Sequence, residues 1–407
     1  MRISILNFKK NFSPIYIGIF LFFVFSDFYL YGVKPFSPIY YFYFIGLFIS
    51  LILLIKRMEI RIDFTQILIF IIMLYVILIY PFQDNNFVTT FAFISAISYY
   101  PIGIFLLKTI SRAKVIKICN FMLFFNLIIF SIEAFWRLTH PIMGRDTMVE
   151  SSLSFSEYFY AYKLNSIMCG DSNFVAILIV ILLFFTCFLY SYVEKRKLYI
   201  YYILAFSILI FLTLSRSAII LSIVAAIIIN CVRFIKKHTK YFLIKQKLTL
   251  KLVLTTLIVI PILGFVGIFI LKNFLSDDSF ITKMDIFVNT IDAMKQMSLL
   301  EILIGISNKL EVAVSLIDRF PHNIVCIYFI WFGVIGMLLV YYTWFRIYKM
   351  IPKSILIFLP VILMGYNLCY INCHLFYAVL AIIHYFEKQS CTECLNINSI
   401  KHNIVKI

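Results

Sequence analysis

The sequence is poor in charge, because only 14% of its 407 residues are Asp, Glu, Lys or Arg. A soluble domain carries about 25% charged residues, so a soluble globular enzyme, a disordered chain and a disulfide scaffold are all excluded. The sequence also contains no glycine-rich phosphate loop, and its polar loops are too short for a nucleotide-binding domain. These absences disfavour an enzyme that uses ATP or a nucleotide sugar.

Metal-ligating patterns are scarce as well. Cys391 and Cys394 form a single C-x-x-C without the second pair of a zinc site. The histidines show no ligand spacing, and most other cysteines lie in apolar runs, where a thiol behaves as a small hydrophobe. We expect neither a metal nor a cofactor.

Hydrophobic residues, by contrast, make up 63% of the chain. They gather into runs long enough to cross a bilayer, which takes about 20 residues. This pattern predicts an all-α polytopic membrane protein with twelve transmembrane helices. The predicted spans are residues 14–33, 38–55, 65–82, 87–107, 115–136, 171–193, 198–214, 217–235, 248–271, 322–345, 354–370 and 372–386.

Charge is distributed unevenly between the segments that connect these spans. With the N-terminus inside, most of the 36 basic residues but few of the 19 acidic ones fall in cytoplasmic segments, as the positive-inside rule requires. Both termini are therefore predicted to be cytoplasmic. Residues 198–235 must then cross twice, with a tight corner at Leu214-Ser-Arg-Ser-Ala218.

Two predicted outer loops, 137–170 and 272–321, are longer than the topology needs, which is typical of functional segments. In the second loop, apolar residues recur at helical spacing with polar residues on the other face. We expect an amphipathic helix that lies in the outer membrane interface. Its apolar positions are Ile281, Met284, Val288, Ile291 and Met294.

Ionisable residues at bilayer depth are costly and need a partner or a watery cavity. Asp27, Glu133, Asp171 and Arg216 stand out in this respect. Glu133 precedes Arg137 by four residues, so a structural ion pair on one helix is the favoured interpretation. Arg216 has two open interpretations, a phosphate ligand or a corner residue that reaches the outer surface.

Other polar residues begin predicted spans from the outer side. His322 follows Pro321 and suits a proton-transfer role at the membrane surface, with Arg319 nearby. Asp171 and Asn173 begin the sixth span, where a helix N-terminus favours a carboxylate. Capping alone is also sufficient to explain Asp171.

Three elements in this order resemble a known family. Leu212-Thr-Leu-Ser-Arg-Ser-Ala-Ile-Ile220 resembles the S-R-S/G-A element of the O-antigen polymerase and O-antigen ligase superfamily. Gly170-Asp-Ser-Asn-Phe174 is similar to the D-x-N that opens a span in many of the polymerases. Pro321-His-Asn-Ile324 with Trp331-Phe-Gly-Val-Ile-Gly-Met337 resembles the H-N and G-x-x-G elements that follow the large periplasmic loop. The resemblance covers about residues 165–345.

The resemblance implies a metal-independent, GT-C-like glycosyltransferase in the bacterial inner membrane, with its active site facing the periplasm. The donor would be a glycan on undecaprenyl diphosphate, and the acceptor a hydroxyl of a second lipid-linked repeat unit. Membrane lipids are further partners, a chain-length regulator and a flippase are compatible with the family, and nucleic acid is not expected. Two rival functions stay open: a ligase that transfers O-antigen to lipid A-core, and a lipid-linked oligosaccharide exporter without chemistry.

The resemblance also implies roles for individual residues. His322 would be the general base, and Arg216 would stabilise charge on the diphosphate leaving group. Substrate-binding roles fall to Asp171, Asn173 and Asn323. The family often has a second Arg early in the large loop, where this chain has Lys283, so either Lys283 or Arg319 would be the second cation.

The predicted organisation has five parts. They are an N-terminal bundle of spans one to five with the first long loop (1–170), spans six to nine with the corner (171–271), the large outer loop (272–321), spans ten to twelve (322–386) and a tail (387–407).

Overall fold

The computed structural model describes residues 14–33, 36–56, 62–141, 161–193, 196–242, 278–317, 323–366 and 368–404. These residues form helices and connecting loops, without a strand among them. The helices are α1 (Pro14–Val24), α2 (Pro38–Ile55), α3 (Phe64–Ile79), α4 (Phe87–Leu107), α5 (Arg112–Thr139), α6 (Ser172–Tyr192), α7 (Arg196–Leu212), α8 (Arg216–Phe242), α9 (Asp278–Met294), α10 (Leu299–Ile304), α11 (Leu310–Ile317), α12 (Ile324–Met350), α13 (Ile355–Gly365) and α14 (His374–Ile404).

Six of the described helices are long and apolar enough to cross a membrane: α2, α3 with its 3-10 extension to Phe82, α4, α5, α6 and α12. Shorter apolar stretches occupy α1, α7, α8 and α13. The prediction of a helical membrane protein is confirmed in this form. The predicted span at 248–271 lies outside the described residues.

Several predicted boundaries differ from the structure; helix α8, for example, continues to Phe242, past the predicted end at 235. The first helix ends at Val24 instead of 33, because an apolar run does not by itself require a helical backbone, and α2 then begins at Pro38. Helix α13 ends at Gly365, short of residue 370. Helix α14 continues past 386 to Ile404, because polar residues end an apolar run without ending a helix.

Helices α4 and α14 pack along each other at the centre of the bundle. Two buried polar contacts join them, because the Ser95 hydroxyl lies 2.8 Å from His374 Nε2 and the Tyr100 hydroxyl 2.8 Å from His384 Nδ1. Helices α2, α3 and α5 bury a smaller part of their surface. Their outward faces carry large exposed apolar side chains, as expected for a surface in contact with lipid.

The segment 298–309, which contains α10, lies in a kink of α12. At this kink Gly333 has a φ of 64°, and Gly305 on the approaching segment has a φ of 87°. The Ile306 N–H donates to the carbonyl of Ile330 at 2.8 Å. The two backbones therefore meet directly, and glycine is needed on both sides of the contact.

Replacing Gly333 with Ala is expected to separate segment 298–309 from α12. A Cβ at this position would lie 2.4 Å from the carbonyl carbon and oxygen of Leu303 and 2.5 Å from the Gly305 nitrogen. The φ and ψ of Gly333 are also rare for an L-residue, which alone costs about 1–3 kcal/mol. We expect a lower thermal unfolding midpoint in detergent. Gly32→Ala is the matched control, because its Cβ would meet no atom within 4 Å; equal midpoints for the two variants would contradict the packing.

Helix α9 confirms that the large loop contains an amphipathic helix. Its buried side is formed by Ile286, Thr290 and Ala293, and the Asn289 amide donates to the Ile317 carbonyl at the end of α11 at 3.1 Å. Two of the predicted apolar positions, Val288 and Ile291, are exposed. Val288 and Ile291 thus face away from the protein, whereas Met294 packs partly against the core.

A capping box starts α10 in the same region. Ser298 Oγ accepts from the backbone N–H of Glu301, and the Ser298 N–H donates to the Glu301 carboxylate at 2.7 Å. These hydrogen bonds from Ser298 hold the pKa of Glu301 below its ordinary value. The cap fixes the first turn of α10 before the segment enters the α12 kink.

Candidate functional site

The site is built around the corner between α7 and α8, which is formed by Thr213, Leu214 and Ser215. Both Thr213 and Ser215 are buried. Leu214 has a φ of 55°, and it is the only non-glycine residue with a positive φ in the described part of the chain. A leucine in this conformation is strained and persists only where the surroundings hold it. A constrained turn is thus present near the predicted corner, but it ends at Ser215, and Arg216, Ser217 and Ala218 already belong to α8.

Arg137 on α5 holds the corner from one side. Its side chain is fully buried, and its Nε donates to the Glu133 carboxylate at 3.1 Å. One terminal nitrogen donates to the Tyr162 carbonyl at 2.9 Å, and the other donates to the carbonyl of Leu212. The predicted Glu133–Arg137 pair is confirmed. In addition, the guanidinium binds a carbonyl at the C-terminus of α7, where the last turn lacks helical donors.

Ser172 holds the corner from a second side. Its hydroxyl donates to the Thr213 carbonyl at 2.7 Å and is buried. Asp171 caps α6, because its Oδ1 accepts from the Asn173 N–H at 2.8 Å while its Oδ2 accepts from the Asn173 side-chain amide at 3.2 Å. The D-x-N element is therefore a local cap, and the serine between its two named residues makes the contact with the corner.

Arg216 is the first residue of α8 and its side chain is exposed. Next to it, the hydroxyls of Ser215 and Ser217 lie 3.3 Å apart. The first turn of a helix presents backbone N–H groups and a positive dipole end. A guanidinium at this position adds a full positive charge, so the start of α8 is suited to an anion.

Asn323 begins α12 near the same end of the bundle. Its side-chain oxygen accepts from the Val325 N–H at 2.8 Å, and its amide donates to the Tyr366 carbonyl at 3.2 Å. Tyr370, four residues further along, packs its ring against Phe174 of α6, with 5.6 Å between centroids. Tyr366 thus contacts the start of α12, and Tyr370 contacts α6 next to the D-x-N element.

Three predicted site residues cannot be placed beside the corner. His322 and Arg319 lie outside the described residues. Lys283 belongs to α9, but its side chain lies outside the described part. In the described structure Asp171 and Asn173 flank Ser172, whose hydroxyl contacts the corner, and Arg216 begins the helix that follows the corner. Asn323 contacts Tyr366, and no contact between Asn323 and Arg216 is found among the described residues.

A polar junction joins the loop before α4 to segment 298–309, and sequence reasoning missed it. The Gln83 amide donates to the Ile304 carbonyl at 2.6 Å and to the Trp331 carbonyl at 3.2 Å. Asn308 donates from its side chain to Thr90 Oγ1 and accepts from the Asn86 N–H, both at 2.6 Å. The run Gln83-Asp-Asn-Asn86 was the available signal, because amide side chains cluster where loops are joined by hydrogen bonds.

Basic side chains gather at the end of the bundle opposite the corner. A cavity of about 480 Å³ is lined there by Lys108, Arg112, His384 and Lys388, together with Ile104, Tyr385 and Gln389. Lys353 lies at the same end and contacts Tyr192 and Glu387. Basic side chains from segments predicted to be cytoplasmic are thus gathered at one end, and the corner lies at the other.

Comparison of the chain with protein-family models, with curated proteins and with solved structures gives no match.

Proposed function

We propose that this protein is a periplasm-facing glycosyltransferase that polymerises undecaprenyl-diphosphate-linked repeat units into O-antigen or a related surface polysaccharide. The observation that carries the proposal is the position of Arg216. It is an exposed guanidinium at the start of α8, on a strained corner that Arg137 and Ser172 hold in place. A diphosphate leaving group needs fixed positive charge of this kind in the transition state.

The gathering of basic side chains at the opposite end supports the proposed orientation in the inner membrane, with both termini cytoplasmic. The lipid-facing apolar surfaces of α2, α3 and α5 suit a substrate whose polyprenyl tail stays in the bilayer. Twelve spans and a GT-C-like arrangement are part of the proposal. In it, His322 activates the acceptor hydroxyl, and Arg319 or Lys283 is the second cation.

Two alternative functions are each compatible with a different observation. A ligase would use the same corner and transfer the finished glycan to lipid A-core, so it differs in acceptor alone. A lipid-linked oligosaccharide exporter would need ionisable groups inside the bundle, and the buried Asp27 is one. The corner favours the enzyme, because a pathway through the bundle would not require a strained turn at its end.

The test is in vitro polymerisation of purified lipid-linked repeat units by wild type and Arg216→Ala. Losing one charge-stabilising donor is expected to lower the rate by about 10²–10³-fold. Arg216→Lys should recover part of the rate, because Lys keeps the charge but not the bidentate fork.

Arg112→Ala is the matched control. Arg112 also follows a serine and also begins a helix, but it lies at the opposite end of the bundle. Its replacement should leave polymerisation close to wild type. Normal polymer from Arg216→Ala at wild-type expression would contradict the proposal and favour the interpretation of Arg216 as a surface-reaching corner residue.

A further inference from the structure

Asp27 lies in the turn after α1 and is buried, with 3% of its surface exposed. Neither of its carboxylate oxygens has a hydrogen-bond partner among the described residues. An ionised carboxylate in such a place is expensive, and buried charges in proteins are paired or bind a cation. The structure therefore requires a source of positive charge for Asp27.

Side chains from two neighbouring helices interact with this carboxyl group, and they too have buried polar atoms without partners. The Asn126 side chain, near the middle of α5, interacts with the Asp27 carboxyl. Its amide nitrogen donates to the Met122 carbonyl at 2.9 Å, while its Oδ1 is buried without a partner. Tyr99 on α4 interacts electrostatically with Asp27, and its hydroxyl is also buried without a partner. The hydroxyl of the neighbouring Ser26 is likewise buried without a hydrogen-bond partner. Such orphaned groups are rare in proteins and each needs an explanation.

Among the described residues no ion pair to Asp27 is found. The ionisable side chains that interact with it include Tyr99 on α4, Cys169 before α6 and Cys373 before α14. None of these three becomes a cation. His374, which follows Cys373, is engaged with Ser95 at 2.8 Å. The Glu133 carboxylate on the same helix as Asn126 is different, because Arg137 pairs with it.

We propose that Asp27, Asn126, Tyr99 and Ser26 form a buried site for one monovalent cation, either a proton or Na⁺. A proton on Asp27 converts one oxygen into a donor, and the Asn126 Oδ1 can accept from it. Two orphaned acceptors are then satisfied by one hydrogen bond. A sodium ion would instead be held by the carboxylate and by the amide, phenol and hydroxyl oxygens, which are the ligands that hard cations prefer.

The site is distinct from the corner and does not depend on the proposed glycosyltransferase activity. Asp27 connects the α1 turn to α5 and α4, whereas the corner is formed by α7 and α8. A single exchangeable charge inside the bundle is the arrangement by which membrane proteins bind coupling or structural ions. Binding to the folded state alone stabilises that state in proportion to the logarithm of the ion concentration.

The first test is labelling of the full-length protein in detergent with a hydrophobic carbodiimide, which reacts with protonated carboxyl groups. We expect mass spectrometry to find the label on Asp27, with less label as pH rises. Protection by Na⁺ but not by K⁺ would identify a sodium site, and labelling that depends on pH alone would identify a proton site. Glu133 is the internal comparison, because it is a buried carboxylate that has an ion-pair partner, Arg137, whereas Asp27 has none among the described residues.

The second test is the thermal unfolding midpoint of wild type and Asp27→Asn over pH and Na⁺. A proton site makes wild type less stable as pH rises, because the folded state loses a proton that it bound more tightly than the unfolded chain. A sodium site makes the wild-type midpoint rise with Na⁺ at high pH, and Tyr99→Phe weakens that rise. Asp27→Asn should fold and lose both dependences. An unlabelled Asp27, together with the same pH and Na⁺ dependence in wild type and Asp27→Asn, would overturn the proposal.

Discussion

Replacing Arg137 with Met is expected to remove most of the stably folded protein from a detergent extract. The variant leaves the Glu133 carboxylate buried without its partner, a change that costs about 3–5 kcal/mol. It also removes the donors to the Tyr162 and Leu212 carbonyls, and each orphaned acceptor adds about 1–3 kcal/mol. Whole domains are stable by only about 5–15 kcal/mol. Fluorescence-detected size exclusion and the thermal unfolding midpoint measure the loss.

Two further variants distinguish the effect of the positive charge of Arg137 from the effect of its several guanidinium donors. Arg137→Lys can pair with Glu133 but cannot reach three acceptors at once, so it should recover only part of the stability. The double variant Glu133→Leu/Arg137→Met removes the unpaired carboxylate and should be more stable than Arg137→Met alone. Arg112→Met, at the other end of α5, is the control for loss of an arginine. If Arg137→Met unfolded at the same temperature as wild type, the hydrogen bonds of Arg137 would not be needed to hold the corner.

The sequence predicts those features of the fold that depend on local pattern. Helices α2, α4 and α6 lie at the predicted positions, because each is a continuous apolar run with a capping or proline residue at its start. The predicted end of α1 at residue 33 was wrong, because an apolar run indicates a position in the membrane but does not determine where the helix ends. Asp27 was recognised as costly, but its orphaned neighbours come from α4 and α5, which are distant in sequence.

In the candidate site too, the sequence predicts the local contacts but not the contacts between distant residues. The spacing of Glu133 and Arg137 predicts their ion pair, and helix capping predicts what Asp171 does. Neither pattern indicates that Arg137 reaches the Leu212 carbonyl or that Ser172 reaches Thr213. Those contacts join residues far apart in the chain, so they follow from the packing of α5, α6 and α7. The D-x-N element and the S-R-S-A element were identified by their order, and the contact between Ser172 and Thr213 that joins them emerges only in three dimensions.

Replacing His322 with Gln is expected to lower the rate of polymerisation by about 10²–10⁴-fold, the range that removal of a general base costs. Gln keeps polarity and approximate shape but cannot take the proton of the acceptor hydroxyl. The variant should still bind the lipid-linked donor, because the proposed diphosphate ligands are Arg216 and a second cation. The assay compares purified wild type and variant between about pH 5.5 and 8, which brackets the ordinary imidazole pKa.

The pH profile distinguishes a base from a residue that merely begins α12. A base must be neutral to act, so the wild-type rate should fall as pH drops through the imidazole pKa, and the His322→Gln rate should lose that step. His140→Gln is the control, since His140 is an exposed imidazole at the end of α5, stacked on Trp136 at 3.9 Å. It should keep both the rate and the step. A His322→Gln enzyme with full activity and the wild-type profile would assign acceptor activation elsewhere. Asp171 is poorly placed for it, because both of its oxygens already accept hydrogen bonds from Asn173.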